Sequence, residues 1–295
     1  MDSVVDAIDM EILMHRDAHF SGSFDVMLEY YKQSGVGTMP DFEIEEIQRL
    51  QTMESELGQN LSEIYLPDAA KDAVIASKAL YQEFRRVYSD EKVKKENLLI
   101  SDLILSEEEH PEKEIRALIQ EGKKMVPLLI HLISSDLFYD PLFPGYGRSP
   151  IFAAQCLGKI QDERAIPPLF EALGQENFFT DEEIIYALAS FGDRSKSFLL
   201  KRLKQDPLSK DNEYAAIALS GFTEDKEIAT AALEVLEKKE TLKRPLFASY
   251  LIFACSDLTK ASMQERFINL SKQKKLPESI RHEMMTVIKN WKKTT

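Results

Sequence analysis

AAQCLGKIQDERAIPPLFEAL, residues 153–173, decides the fold. It reads as the end of one helix, a Leu-Gly-Lys-Ile turn running into an acidic residue, and then Ala-Ile-Pro-Pro-Leu opening a second helix. A proline in the first helical turn lacks only an amide hydrogen that the turn would leave unpaired anyway. With Leu157 as anchor, Leu188, Leu219 and Leu251 follow at separations of 31, 31 and 32 residues. Three residues earlier stand Ala154, Ile185, Ala216 and Ala248, and one residue later Gly158, Ala189, Ser220 and Ile252. Three later come Ile160, Phe191, Phe222 and Ala254, with Asp162, Asp193 and Glu224 near the turn that follows. A period of this length marks stacked helical units, each too small to bury its apolar face alone. Small residues in one column let neighbouring hairpins approach, and large apolar residues in the next fill the space between them.

Those residues carry a family resemblance. The 153–173 stretch resembles the HEAT-like repeat first associated with phycobilisome lyases, and MVPLLIHLI (125–133) resembles its second half, with Pro127 in the place of Pro167. The similarity spans about 111–292. It implies an all-α fold, a right-handed α-solenoid of HEAT-like hairpins whose inner helices line a concave binding surface. It implies no single chemistry. The expected organisation is an N-terminal helical region over 1–106, which resembles no family, and a repeat array over 107–295 with an inserted loop at 134–149.

Outward from the array, the N-terminal region is helical without repeating. Residues 2–19 form an amphipathic stretch, and Ser23 suits the cap of a second helix over about 24–34. SGVGTMP (34–40) is a linker, because a phosphate-cradling loop would end in Gly-Lys-Ser/Thr. Ile44, Ile47, Leu50, Met53, Leu57, Leu61 and Ile64 recur at steps of three or four, placing them on one helix face. Pro67 suits the start of the next helix, and a short helix follows over about 92–105. The charged run EEEHPEKE (107–114) marks the boundary.

Composition narrows the function classes. The 295 residues include 11 Gly and 12 Pro, which excludes collagen-like or low-complexity chains. No run approaches the roughly 18 apolar residues of a membrane-spanning helix, and the start MDSVVDAIDM carries no secretory or transit signal. Cys156 and Cys255 sit in apolar helical patterns and read as free thiols, which places the chain in the cytoplasm. The net charge of −13 is uneven: acids dominate the first 110 residues and bases the last sixty. Such asymmetry bears on association and not on fold.

Several clusters are candidate sites. Glu11, His15 and His19 share one face of the first helix. With Asp25 and Glu29 from a folded-back second helix they form a donor set able to hold Zn²⁺ or Fe²⁺. The simpler reading places the histidines at the negative helix end. The HEAT family includes a di-iron hydroxylase that uses repeated His-Glu doublets, but here His282-Glu283 stands alone. HEAT-like DNA glycosylases imply a basic groove. Arg194, Lys196, Lys201, Arg202 and Lys204 are the residues that could line one, although the whole chain is acidic. In the loop SSDLFYDPLFPGYGRS (134–149), Phe138, Tyr139, Phe143 and Tyr146 offer contact area for a partner or tuck back as a satellite core. Lys272, Lys274, Lys275, Arg281, Lys289, Lys292 and Lys293 form a polar cap face or meet an acidic partner.

The sequence therefore predicts a non-enzymatic protein-binding scaffold. It uses the concave face and the 134–149 loop, with Phe138, Tyr139, Phe143, Tyr146, Lys201 and Arg202 as contact residues and no cofactor. A metal-dependent enzyme at Glu11, His15 and His19, or a nucleic-acid-binding protein, are the alternatives.

Overall fold

A computed structural model describes residues 5–33, 40–174, 178–274 and 276–294. Among the described residues every regular element is a helix. The 34–39 part of the expected linker lies outside them, as do Lys275 and the side chains of Lys292 and Lys293. The chain forms two compact units, Met1–Cys156 and Leu157–Thr295.

The first unit holds α1 (Ala7–His19), α2 (Phe24–Lys32), α3 (Ile44–Leu57), α4 (Leu61–Tyr65), α5 (Asp68–Arg86), α6 (Lys95–Ile104), α7 (Glu112–Glu121), α8 (Val126–Ser134) and most of α9 (Ser149–Ile160). Asp6 starts α1 with a reciprocal capping box to Asp9, and Ser23 caps α2 through the amide of Val26. The apolar run 44–64 is two helices. Gly58 closes α3 in the left-handed conformation, φ +63°, and Asn60 starts α4 by accepting from the Ser62 amide. Glycine adopts that φ without a Cβ penalty, so a continuous apolar period is cut by one residue.

Helix α1 packs against α3, α4 and α5. Ile12, Leu13, Met27, Ile47, Leu50 and Leu61 are fully buried in the resulting core. Arg16 is fully buried with them. Its guanidinium donates to Glu54 (2.6 Å), Asn60 (3.0 Å) and Ser62 (2.9 Å), and stacks 4.5 Å above the Phe24 ring. Glu54 also accepts from the Leu61 amide at 2.9 Å, so one ion pair ties α1, α3 and α4 together.

The second unit continues with α10 (Ile166–Glu171), α11 (Phe178–Ser190), α12 (Asp193–Leu203), α13 (Lys210–Leu219), α14 (Lys226–Leu236), α15 (Pro245–Ala254), α16 (Ala261–Ser271) and α17 (Glu278–Thr294). Chain neighbours pack at α10–α11, α11–α12, α12–α13, α14–α15 and α16–α17, and helices also pack on the one two places on: α11 on α13, α13 on α15 and α15 on α17 in one layer, α12 on α14 and α14 on α16 in the other. This two-layer stacking is the α-solenoid arrangement. The leucine column is its core, with Leu157, Leu188, Leu219 and Leu251 at 0, 0, 3 and 1% exposure. Burying such a side chain contributes about 1.5–3 kcal/mol, which the stacking of neighbours makes available.

The small-residue column acts as expected where it is smallest. A Cβ on Gly158 would meet the Ala187 Cα at 2.9 Å; beside the column, one on Gly221 would meet the Ile185 Cγ2 at 2.7 Å. In the third repeat Glu224 stands in the turn and the next residue caps the helix. Asp225, not Glu224, caps α14 by accepting from the amides of Glu227 and Ile228. Glu224 instead holds the left-handed turn at φ +56°.

Ion pairs cross the second layer at roughly the repeat spacing. Arg194 pairs with Glu163 (3.2 Å), Lys196 with Asp225 (3.0 Å), Lys204 with Glu234 (3.0 Å) and Arg266 with Glu237 (2.6 Å). Asp193 and Asp225 together hold the Lys196 ammonium well above the usual lysine range.

Candidate functional site

Two of the sequence candidates, far apart in the chain, converge on one pocket in the first unit. Its volume is about 520 Å³, and Ala18, His19, Phe20, Ser21, Tyr30, Lys78, Tyr81, Gln82, Arg85, Glu107 and Tyr146 line it. Helix α5 contributes one face, since Lys78, Tyr81, Gln82 and Arg85 stand at helical spacing. The end of α1 supplies His19, α2 supplies Tyr30, and the segment after α6 supplies Glu107. Tyr146 comes from the inserted loop.

The loop is folded onto its own unit. Phe138, Phe143 and Tyr146 are 4, 6 and 8% exposed, and Tyr139 is half-buried with its hydroxyl donating to the Ile133 carbonyl at 2.8 Å. Leu142 and Phe143 form a satellite core with Val74, against which Met14, Ala18 and Leu80 pack. Ser77, buried on α5, donates to the Leu142 carbonyl at 2.6 Å. Three consecutive left-handed residues, Gly145, Tyr146 and Gly147 (φ +91°, +53° and +73°), turn the chain at the pocket wall. For Tyr146 that backbone is strained by about 1–3 kcal/mol, a cost that surrounding contacts must offset. A Cβ on Gly147 would stand 2.8 Å from the Tyr139 carbonyl oxygen, so only glycine fits there.

The aromatic rings interlock. His19 lies 5.3 Å from Tyr81, edge to face, and 5.6 Å from Tyr146, while Tyr81 and Tyr146 are 6.2 Å apart. His15 stands behind, its ring 5.2 Å from His19 and 5.4 Å from Phe42. The Arg85 guanidinium lies 5.9 Å from the Tyr81 ring. Three shielded polar atoms gather here without a well-formed hydrogen bond: His15 Nδ1, His19 Nε2 and the Tyr81 hydroxyl. Each such group costs about 1–3 kcal/mol in desolvation. Burial lowers the imidazole of His15 to about 4. Burial, and then the neighbouring His15, lowers that of His19 to about 3, against a backbone hydrogen bond to Leu142. Both imidazoles are neutral at pH 7. Burial raises Tyr81 and Tyr146 above the ordinary phenol range, so both hydroxyls keep their protons. The wall is thus neutral and hydrogen-bonding, with Lys78, Arg85 and Glu107 exposed around it.

Glu11 is exposed while His15 is buried. Asp25 accepts from Gln51 (2.7 Å) and Glu29 from Gln33 (2.9 Å). Among the described residues no group of three or more His, Cys, Asp or Glu side chains is placed to hold a metal ion. Lys201 is exposed, and Arg202 is half-buried, 5.2 Å from the Phe198 ring and 3.1 Å from Asp211. Cys156 and Cys255 are buried free thiols, and burial pushes Cys156 up to about 12 and Cys255 higher still. At the C-terminal end Lys272, Lys274 and Lys289 are exposed, and Arg281 donates to the Gln273 carbonyl at 2.8 Å.

A second concavity lies in the repeat unit. About 500 Å³ opens between α13 and α15, floored by Ala216, Leu219 and Ile228 and walled by Phe222, Tyr250 and Phe253, with Glu224 and Asp257 at its rim. Phe253 is 72% exposed. The sequence reading passed over this groove, although the Phe222 and Ala254 positions of the repeat columns belong to it.

Stacked helix pairs recurring at a fixed period, with small residues at the contacts, define a helical-repeat protein. Residues 150–220 match HEAT repeats, and the chain is a HEAT-like repeat protein in this part. The match does not single out the phycobilisome-lyase variety. No curated protein and no solved structure matches the chain. HEAT repeats are in general scaffolds for protein interactions. No helix among the described residues is long and apolar enough to cross a membrane.

Proposed function

We propose that the chain is a non-enzymatic protein-binding scaffold whose partner seats in the groove between α13 and α15. The observation that carries this reading is Phe253, a large aromatic side chain 72% exposed beside an apolar concavity. Aromatic side chains that become desolvated at the centre of a contact carry much of the binding energy of protein interfaces. Glu224 and Asp257 at the rim favour a partner segment that offers apolar side chains flanked by basic ones. The repeat array on this reading runs over 107–295. Two buried, unpaired thiols support a reducing, cytoplasmic setting. The bases of α12 are a weaker basis for nucleic-acid binding, since Arg194, Lys196, Arg202 and Lys204 are already paired with carboxylates.

A photo-crosslinking amino acid in place of Tyr250 tests the reading, with one in place of exposed Lys260 as control. The expected result is a discrete adduct at the first position only, on a basic-apolar segment, lost when Phe253→Glu is added. Identical adducts at both positions, or an adduct indifferent to Phe253→Glu, would overturn it.

A further inference from the structure

The pocket in the first unit is left unexplained by a scaffold role. Its charged lining groups are Lys78 and Arg85 on α5 and Glu107 on the segment after α6. Among the described residues neither Lys78 nor Arg85 forms an ion pair with a carboxylate. The rings of His19, Tyr30, Tyr81 and Tyr146 line the same pocket. Arg85 sits seven residues, about two turns, from Lys78, and Tyr81 lies between them on the same face. This combination of one acid, two bases and an aromatic wall matches a ligand that carries both charges on a short stem from an aromatic ring.

We propose that this pocket binds a zwitterionic aromatic amino acid. The ring lies against Tyr81, Tyr146 and His19, the carboxylate meets Arg85 and Lys78, and the ammonium meets Glu107. Arginine recognises a carboxylate with two parallel donors, which a lone amine site would not need. His19 Nε2, shielded from solvent, lacks a well-formed hydrogen bond. A ring hydroxyl on the ligand supplies one after a small turn of the His19 ring. Because His19 stays neutral down to about pH 3, it offers this contact as a neutral imidazole at any physiological pH. The left-handed backbone at Tyr146, φ +53°, is the kind of strain that persists where a side chain is held against a ligand. This inference is independent of the groove between α13 and α15.

Calorimetric titration of the full chain with three probes tests it: L-tyrosine, tyramine (no carboxylate) and 4-hydroxyphenylacetate (no ammonium). The expected result is saturable binding of L-tyrosine, with each truncated probe about tenfold weaker. Arg85→Ala should weaken L-tyrosine about tenfold and erase its advantage over tyramine. Glu107→Gln should erase its advantage over 4-hydroxyphenylacetate. Both residues are exposed, so the variants should keep the parent circular dichroism and Tm. His19→Phe should remove any preference for L-tyrosine over L-phenylalanine. Absence of saturable binding for all three probes at millimolar concentration would overturn the proposal. So would probe preferences that the Arg85 and Glu107 variants leave unchanged.

Discussion

The backbone of Ala187 on α11 stands where a side chain on Gly158 of α9 would have to go. The Cα–Cβ gap would be 2.9 Å, and the Ala187 Cβ would be at 3.0 Å. Two helices one repeat apart touch through backbone, and the Ser190 hydroxyl bridges the contact, 2.8 Å from the Gly158 carbonyl and 2.6 Å from that of Ala187.

Gly158→Ala should therefore destabilise the protein, although alanine is the better helix former by about 1 kcal/mol. The contact is backbone on backbone, so relief requires the helices to separate, at about 1–3 kcal/mol. Chemical denaturation should show a net loss for Gly158→Ala and a larger one for Gly158→Val. A stabilised Gly158→Ala variant would mean the helices part freely.

Arg16 predicts a second loss. Removing the buried Arg16 leaves Glu54, Asn60 and Ser62 without their donor, at about 3–5 kcal/mol. Arg16→Ala should lower the unfolding free energy by that order, and Glu54→Ala by less, because Asp17 still pairs with Arg16 at 2.8 Å and Glu54 is partly exposed. The double variant should cost clearly less than their sum, because the two share one interaction. Additive losses in urea titrations would contradict the coupling seen between α1 and α3.

Much of the second unit was legible in sequence, and much of the first was not. Leu157, Leu188, Leu219 and Leu251 announce their core positions because a repeat prints the same packing several times. The turn acid Glu224 stands in its turn as the repeat columns suggest, while the capping role of the adjacent Asp225 depends on backbone geometry that no column prints. In the first unit the 44–64 apolar period conceals Gly58, whose left-handed φ breaks one expected helix into two. Arg16 reads as an ordinary base in the last turn of a helix, and nothing local tells that Glu54, Asn60 and Ser62 enclose it. The meeting of His19 with Tyr146 is a tertiary event between segments that share no pattern. The loop aromatics were recognisable as contact residues, but whether they faced a partner or their own unit depended on α5.

The histidines give a pH signature. In the unfolded chain each titrates near 6.5, while the folded values lie near 4 for His15 and 3 for His19. Above pH 6.5 both states are neutral and neither contributes. As pH falls below 6.5 the unfolded state binds protons that the fold refuses, so stability drops until the folded values are reached. At pH 5 the loss is about 1–2 kcal/mol per histidine. Urea midpoints at pH 7.5 and 5 should differ less in His15→Gln/His19→Gln than in the parent. An equal pH dependence in both proteins would show that these imidazoles are not shielded.

The ladder between repeats should respond to salt. Lys196→Met removes the contacts to Asp193 and Asp225, at 2.9 and 3.0 Å, from a side chain that is 15% exposed. The expected loss is about 1 kcal/mol at low ionic strength, shrinking in molar salt as the partly exposed charges are screened. A loss independent of salt would assign the effect to packing of the lysine stem.

The central claim is that each hairpin of the second unit is sheltered by its neighbours, and hydrogen exchange on Leu219→Ala tests it most directly. A cavity at that buried leucine should cost about 2–5 kcal/mol. Amides of α11 and α15, which pack on α13, should then lose protection together with those of α13, by a factor of about ten for every 1.4 kcal/mol transmitted. Faster exchange confined to α13, with α11 and α15 unchanged, would contradict a mutually supporting stack.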